Sequence, residues 1–348
     1  VYRTQVPLQR GLEVHYPPGS GRIVLRTELD WDRDLEPIAV SDDGSTSLFQ
    51  LAAHQPYLYL KVGLQADDGS RLWAVGPDPL ALLTGEGPVH LYPYFEGSES
   101  GAFSALLEKD SAFLGRKLFV RVYLPPGYEQ NPLRRYPVLY MQDGGNLFFP
   151  EEAFLGRDWK VDRAVSLLDR MNAMDRVIIV GVYSGDRLEE YTKPGYEAYA
   201  RAVIEEVKPE IDAQLRVFGS GEETGVIGSS LGGVVSFYMA WEYPQVFGFA
   251  ACMSSTFSHK DDLVERVLSE PRRESRLYLD SGWPGDNFEV TLAMAMALQT
   301  RGYRPREDFL HLVFPEETHD EAAWGSRLHL PLQLGLGKIA AAQRGRQI

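Results

Sequence analysis

The residues with chemistry to offer begin with Ser230, at the centre of the pentad Gly228-Ser229-Ser230-Leu231-Gly232. The apolar run Thr224-Gly225-Val226-Ile227 leads into it, and a helix-compatible segment, Leu231-Gly232-Gly233-Val234-Val235, leads out. A strand, a tight turn and a helix in that order would hold the serine on a strained corner, its hydroxyl exposed at the carboxyl edge of a sheet. Gly228 and Gly232 suit such a corner because strand and helix pack closely there, and Gly233 adds room. A serine hydroxyl is a poor nucleophile at neutral pH, so it needs a base within hydrogen-bond reach and an orienting acid behind that base. Without those partners the pentad is only a glycine-rich turn containing a serine.

A serine on this kind of corner takes its acid and base from later loops at the same sheet edge, in the order serine, acid, histidine. Of the seven histidines, His259, His311, His319 and His329 follow Ser230. His311 falls in a strand-like run and His329 in a helix-like one. His319 lies just past the run ending at Phe314, in Pro315-Glu316-Glu317-Thr318-His319-Asp320, and is the expected base. The loop after the preceding strand-like run offers two carboxylates. Asp286, beyond a Gly-Trp-Pro-Gly turn, is the preferred acid, and Asp280, close to the strand's end, is the alternative. Asp286 has a second reading as a helix cap, and a dyad without a strong acid is a further option.

The negative charge that develops on a carbonyl oxygen needs fixed N–H donors. One is expected from the Leu231 amide, directly after the nucleophile at a helix start. The other is expected from Met141-Gln142-Asp143-Gly144-Gly145-Asn146, where paired glycines let the backbone approach a ligand: Gly145 first, Gly144 next. No His-Glu-x-x-His, cysteine pair, phosphate loop or dinucleotide fingerprint occurs, so no metal and no cofactor is expected.

The elements that must position these groups alternate strand and helix over residues 101–348, which implies a mainly parallel sheet covered on both faces. Strand-like runs cover 116–124, 136–141, 176–182, 247–251, 276–279 and 309–314. Tyr199, Val203, Val207, Ile211 and Leu215 recur at helical intervals, with Pro209 expected to kink or interrupt the helix. A helix starting near Asn287 should end at Gly302. Residues 1–100 read differently. Short alternating runs between turns such as 17–21, 41–45 and 67–70 predict a smaller, immunoglobulin-like antiparallel β-sandwich. Its aromatics Trp31, Tyr57, Tyr59, Trp73, Tyr92 and Tyr94 are expected mainly in core or interdomain packing, with glycan contact as the weaker option.

A chain of 348 residues suits two domains. A net charge of −14 argues against nucleic acid or an anionic membrane as partner. No apolar run is long enough to cross a bilayer, and Val1-Tyr2-Arg3-Thr4-Gln5 has no signal-peptide core, so a cytoplasmic protein is expected. A chain already trimmed of a leader would read the same way. The lone Cys252, among apolar neighbours, is expected as a buried core residue. Oligomeric state is not legible.

With these residues assembled, the second domain resembles the esterase-D-like branch of the α/β hydrolases, which includes feruloyl and enterochelin esterases and related acyltransferases. The likeness runs from about Leu114 to the C-terminal region. It is carried by Arg121-Val122-Tyr123-Leu124-Pro125-Pro126-Gly127-Tyr128, by residues 136–148, by Gly228-Ser229-Ser230-Leu231-Gly232-Gly233, and by His319-Asp320-Glu321 with Trp324. The resemblance implies an α/β-hydrolase fold, Ser230 as nucleophile, His319 as base, an aspartate near Asp286 as acid, and oxyanion donors from Gly145 and Leu231. It favours a small-molecule ester as substrate and a serine carboxylic-ester hydrolase as the activity. The rivals are an acyltransferase using the same acyl-enzyme and a non-catalytic glycan- or partner-binding protein on a hydrolase scaffold. Gln142 stands where related sequences often carry His, and Gly145 where many carry Gln. Gln142, Asn146, Arg157, Trp159, Arg187, Trp283 and Trp324 are the candidates for lining the substrate site.

Overall fold

The computed structural model describes residues 3–19 and 21–343. Val1 and Tyr2 of the opening segment, Ser20 of the turn expected at 17–21, and residues 344–348 lie outside the described residues. The first hundred residues make nine strands: β1 (Leu8–His15), β2 (Arg22–Thr27), β3 (Asp30–Leu35), β4 (Ala39–Val40), β5 (Thr46–Ala53), β6 (Tyr57–Gln65), β7 (Arg71–Trp73), β8 (Leu80–Leu82) and β9 (Val89–Leu91). They form two sheets, β4-β5-β1-β9 and β3-β2-β6-β7 with β8 also on β6. Period-two patterning is what makes them pack. In β5 the side chains of Ser47, Phe49, Leu51 and Ala53 are buried while Gln50 and Ala52 face out. Leu12, Val14, Phe49 and Leu51 of one sheet meet Leu25, Leu58, Leu60 and Val62 of the other in a single core. The pairing departs from all-antiparallel at one place. After β8 the chain crosses to the other sheet, and β9 runs parallel to β1.

The rest is built on a nine-stranded sheet: β10 (Ala102–Phe103), β11 (Leu107–Ser111), β12 (Arg116–Leu124), β13 (Val138–Met141), β14 (Ile178–Tyr183), β15 (Thr224–Ser229), β16 (Phe249–Met253), β17 (Arg276–Trp283) and β18 (Phe309–Pro315). Its order is β10-β12-β14-β13-β15-β16-β17-β18, with β11 also on β12. From β14 to β18 every neighbouring pair is parallel. Parallel strands buried on both faces read as continuous apolar runs, and successive residues here feed opposite layers. Val226, Ala250 and Leu277 pack with α3 (Gly195–Arg201), α4 (Lys208–Gln214), α5 (Leu231–Glu242), α6 (Leu263–Ser269) and α7 (Phe288–Thr300). Ile227, Ala251 and Tyr278 pack with α1 (Val161–Arg170), α8 (Glu321–Arg327) and α9 (His329–Leu336). Cys252 is buried in the first of these layers. The short α2 (Arg187–Glu190) and the terminal α10 (Lys338–Gln343) complete the helices.

The periodic run through Pro209 is helical up to Gln214, with Leu215 already extended, but residues Ala202–Val207 wind as a π-helix between α3 and α4. Proline has no N–H and its ring crowds the carbonyl four residues back, so the wider turn absorbs the interruption instead of breaking the helix. Gly302, at φ 89°, follows α7 in the left-handed conformation expected of a helix terminator.

The two parts meet at the amino ends of the parallel strands. Leu80 N–H donates to Asn172 Oδ1, Asn131 Nδ2 donates to the carbonyls of His15 and Pro93, and the Arg176 guanidinium lies 4.9 Å from the Tyr94 ring centroid. Among the described residues no helix is long and apolar enough to cross a membrane.

Candidate active site

Ser230 turns the chain from β15 into α5 with φ 56° and ψ −123°, a conformation that costs an L-residue roughly 1–3 kcal/mol. The flanking glycines are needed sterically. A Cβ on Gly228 would stand 2.2 Å from the carbonyl oxygen of Gly232, and one on Gly233 would stand 2.0 Å from Ser255 Oγ. The Ser230 N–H donates to Met253 O across to β16 (2.9 Å), tying the corner to the sheet.

His319 occupies the loop between β18 and α8. Its Nε2 is 3.0 Å from Ser230 Oγ and its Nδ1 is 2.6 Å from Asp286 Oδ1. An ionised carboxylate can only accept, so the proton belongs on Nδ1 and the Nε2 lone pair faces the serine hydroxyl. The edge of Trp324 meets the imidazole at 4.9 Å between centroids, fixing the ring plane.

The Asp286 side chain is 0% exposed. Besides His319 it accepts from Ser254 Oγ (2.5 Å) and from the N–H groups of Gly282 (2.6 Å) and Asn287 (2.7 Å). Burial opposes its ionisation, but the bonds from His319, Ser254, Gly282 and Asn287 outweigh it and hold the carboxyl well below the usual carboxylate range. Asp286 does not cap the next helix, whose capping position is taken by Asn287.

Asp280, the alternative acid, is elsewhere. The strand runs on to Trp283 in register with β18, so Asp280 lies inside β17 and not in the loop. Its oxygens are taken by Arg327 (Nε at 3.0 Å, Nη2 at 3.1 Å), Tyr278 OH (2.8 Å) and Ser254 N–H (3.1 Å). Burial pushes its carboxyl up, and Arg327 opposes that first. Arg327 Nη2 also donates to Ser254 Oγ at 2.7 Å. Polar groups therefore run without a break from Arg327 through Ser254, Asp286 and His319 to Ser230. Neither Ser254 nor Arg327 was singled out from the sequence. A serine after a strand carries no signal, whereas an arginine in a largely apolar C-terminal segment was a readable hint of a buried partner.

Leu231 is the first residue of α5, where N–H groups have no partner within the helix. Across from it, Asp143 adopts a left-handed conformation (φ 55°, ψ 52°) and opens the one-turn helix Gly144–Asn146. Gly144 is buried and a Cβ there would stand 2.5 Å from Tyr183 Cδ2, whereas Gly145 is half-buried and nearer solvent. Asp143 is itself locked: Arg187 Nη2 donates to Oδ2 (3.0 Å), Ser184 Oγ donates to Oδ1 (3.2 Å), and its own N–H donates to Tyr191 OH (3.2 Å). Burial raises the Asp143 carboxyl, with Arg187 the main opposing influence.

The remaining candidates divide. Arg187 is engaged with Asp143 at the turn. Asn146 accepts from Phe154 N–H (2.9 Å) and reaches Glu321 Oε1 (3.5 Å). Trp283 ends β17 half-exposed at the same edge. Gln142 is corrected: it is 1% exposed, and its side chain is consumed by Tyr199 OH (2.5 Å) and Met239 Sδ (3.5 Å) beneath the corner. Trp159 is corrected too, being buried against Trp324 at 5.9 Å. With the exposed Arg157 it lines a groove of about 770 Å³ between α1 and α8–α9, whose walls do not include Ser230, Leu231, Gly145 or His319. Phe154 and Leu155, which composition did not mark, stand exposed next to the turn that carries Gly145.

A family model described as "Putative esterase" matches residues 111–329. Protein YjcH of Bacillus subtilis (strain 168), described as uncharacterized, is 35% identical over 183 residues, 51% of this chain and 72% of that protein. Among solved structures, a ferulic acid esterase superposes with a TM-score of 0.57 at 21% identity, over 67% of this chain and 98% of the other. The enterobactin esterase FES of Shigella flexneri matches with a TM-score of 0.55 at 14% identity, over 95% and 93% of the two chains. At such identities these structures speak for the fold, and the second spans the N-terminal strands as well.

Proposed function

This chain belongs to the esterase family, and from that premise we propose that Ser230, His319 and Asp286 carry out its hydrolysis of small-molecule carboxylic esters through an acyl-enzyme. That it is an esterase follows from the family; the serine mechanism and the roles of the residues are our reading. His319 Nε2 takes the proton as Ser230 Oγ attacks the ester carbonyl. The imidazolium, stabilised by Asp286, then protonates the leaving alcohol. Water, deprotonated by the same nitrogen, attacks the acyl-enzyme, and the carboxylic acid leaves as Ser230 Oγ recovers its proton. The amides of Leu231 and Gly145 stabilise the oxyanion in both steps, each contributing about 3 kcal/mol, or ~10²-fold in rate. The observation that carries this reading is the relay of 3.0 Å from Ser230 Oγ to His319 Nε2 and 2.6 Å from His319 Nδ1 to Asp286 Oδ1.

Exposed Phe154, Leu155 and Trp283 at this edge favour an apolar or aromatic acyl group. The ferulic acid and enterobactin esterases of similar fold act, by their names, on esters of that kind or on enterobactin. A fluorophosphonate probe with p-nitrophenyl acetate tests the nucleophile: labelling and turnover are expected, and both should vanish in Ser230→Ala. Retention of either in that variant removes Ser230 from the role. Product analysis with and without an added alcohol separates hydrolysis from acyl transfer, and a panel of acetyl, feruloyl, sugar-acetate and trilactone esters tests the acyl preference.

A further inference from the structure

Strand alternation in the N-terminal sheets leaves one outward face with ligand-bearing side chains. In β1, Leu12 and Val14 point into the core, so Glu13 and His15 point out. In the parallel neighbour β9, Val89 points in and His90 points out, directly opposite Glu13 in the register. Three side chains thus converge: His15 Nε2 lies 2.9 Å from His90 Nδ1, and Glu13 Oε2 lies 3.3 Å from His90 Nδ1 and 3.6 Å from His15 Nε2. Among the described residues this is the one cluster of three such ligand atoms within 4.8 Å of one another.

A hydrogen bond between the imidazoles accounts for the shortest separation. The carboxylate sits beyond good hydrogen-bond distance of either nitrogen, at ion-pair distances of 3.3 Å and 3.6 Å that hold charge only if an imidazole is protonated. A shared ion accounts for all three. The point equidistant from three atoms so spaced lies about 1.9 Å from each, so an ion at the ~2.0–2.1 Å of zinc–nitrogen and zinc–oxygen bonds would sit less than about 1 Å above their plane, with its fourth position open to water. The outer shell is also in place. His15 Nδ1 is 3.0 Å from Thr46 Oγ1, its register partner in β5, which orients the ring so that Nε2 is the ligating nitrogen.

We propose that Glu13, His15 and His90 bind one divalent transition-metal ion of the zinc type. The site adjoins the joint between the two parts of the chain. Asn131 donates to the His15 carbonyl (3.0 Å), and Tyr92 stacks on His15 at 4.7 Å between centroids while facing the Arg134 guanidinium at 5.7 Å. The ion would clip β1 to β9 where they carry that joint.

The test uses tag-free, full-length protein stripped with a chelator, dialysed, and titrated with zinc chloride by calorimetry. One equivalent is expected. Glu13→Gln and His90→Ala should weaken binding at least ~100-fold, and Thr46→Val by roughly 10–100-fold as for an outer-shell partner. Activity toward p-nitrophenyl acetate should stay unchanged in all three, which reports that they fold. Zero stoichiometry, or an affinity unchanged in Glu13→Gln, overturns the proposal and leaves a hydrogen-bonded His–His pair beside a glutamate. Should the histidine variant fail to fold, cobalt(II) added to the unmodified chain must give the visible absorption of a four-coordinate site, displaced by zinc; its absence is equally fatal to the idea.

Discussion

Replacing Asp286 and Asp280 in turn by asparagine should separate chemistry from support. Every group that faces the Asp286 oxygens through a hydrogen bond is a donor: His319 Nδ1, Ser254 Oγ, and the N–H groups of Gly282 and Asn287. An amide there must turn its NH2 toward one of the two sides. Each side faces one backbone N–H, Gly282 at Oδ2 and Asn287 at Oδ1. The second partner at Oδ2 is a serine whose oxygen already accepts from Arg327, whereas His319 Nδ1 can give up its proton and accept, so the NH2 goes to the Oδ1 side and donates to His319 Nδ1. The imidazole is then forced into the other tautomer, with a proton on Nε2 aimed at Ser230 Oγ and no lone pair to act as base. The expected loss in kcat is about 10⁴-fold, or ~5.5 kcal/mol of barrier. Asp280→Asn leaves His319 untouched but strips the hydrogen-bonded counter-charge from Arg327, which is 3% exposed and keeps only the Asp286 carboxylate, 3.8 Å away. Breaking a buried ion pair by removing one partner costs about 3–5 kcal/mol, and with Asp286 still at 3.8 Å the loss should lie toward the lower end, lowering the melting temperature by roughly 6–12 °C at the ~2–4 °C per kcal/mol of a domain this size. The folded fraction should keep kcat within about tenfold, the range of an outer-shell change. Thermal unfolding and p-nitrophenyl ester kinetics, run well below each midpoint, give both readouts. A kcat loss in Asp280→Asn equal to or greater than that in Asp286→Asn would refute the reasoning and move the acid role to Asp280.

Gly228→Ala should abolish a soluble fold or cost more than ~4 kcal/mol, because the new methyl meets a backbone oxygen at 2.2 Å; urea denaturation measures it, and a loss under 1 kcal/mol would contradict the corner geometry. Arg187→Ala removes the charge partner of buried Asp143 and should lower kcat/KM by up to ~10²-fold, the value of one oxyanion donor, while fluorophosphonate labelling of Ser230 persists. The depressed carboxyl of Asp286 binds fewer protons in the folded than in the unfolded chain. Its stabilisation is therefore fully present above the unfolded value near ~3.9 and is lost as pH falls through the folded one. Urea midpoints measured from pH 6 to pH 3 should fall less steeply in Asp286→Asn than in the parent chain, and parallel slopes would contradict this.

Much of the geometry at this edge was legible because its parts obey local rules. A serine between two close-packing glycines, a histidine just past an apolar strand and a paired glycine after another can each be read within a few residues. The position of Asp280 was not, because strand ends are set by pairing: β17 continues to Trp283 only because β18 runs beside it. Gln142 looked like a site residue by its neighbours in sequence, yet its side chain faces Tyr199 and Met239, 57 and 97 residues away. Ser254, and the identity of the partner that Arg327 hinted at, were hidden for the same reason, since a buried ion pair is a contact between distant segments. The Glu13, His15 and His90 cluster escaped any spacing rule because two ligands are two apart on one strand while the third arrives on a parallel strand 75 residues later.

The docking of the N-terminal strands on the amino ends of β13 and β14 has a further consequence. The central parallel strands β13 to β16 are four to six residues long, which sets their two ends roughly 13–20 Å apart. Ser230, His319 and Asp286 open on one end and Tyr94, Asn131 and Arg176 close the other. The molecule is in this sense bipolar. The contacts that hold the joint, Leu80 to Asn172, Asn131 to His15 and Pro93, and Arg176 to Tyr94, include none of Ser230, His319 and Asp286, so side chains at the joint can change without touching the relay.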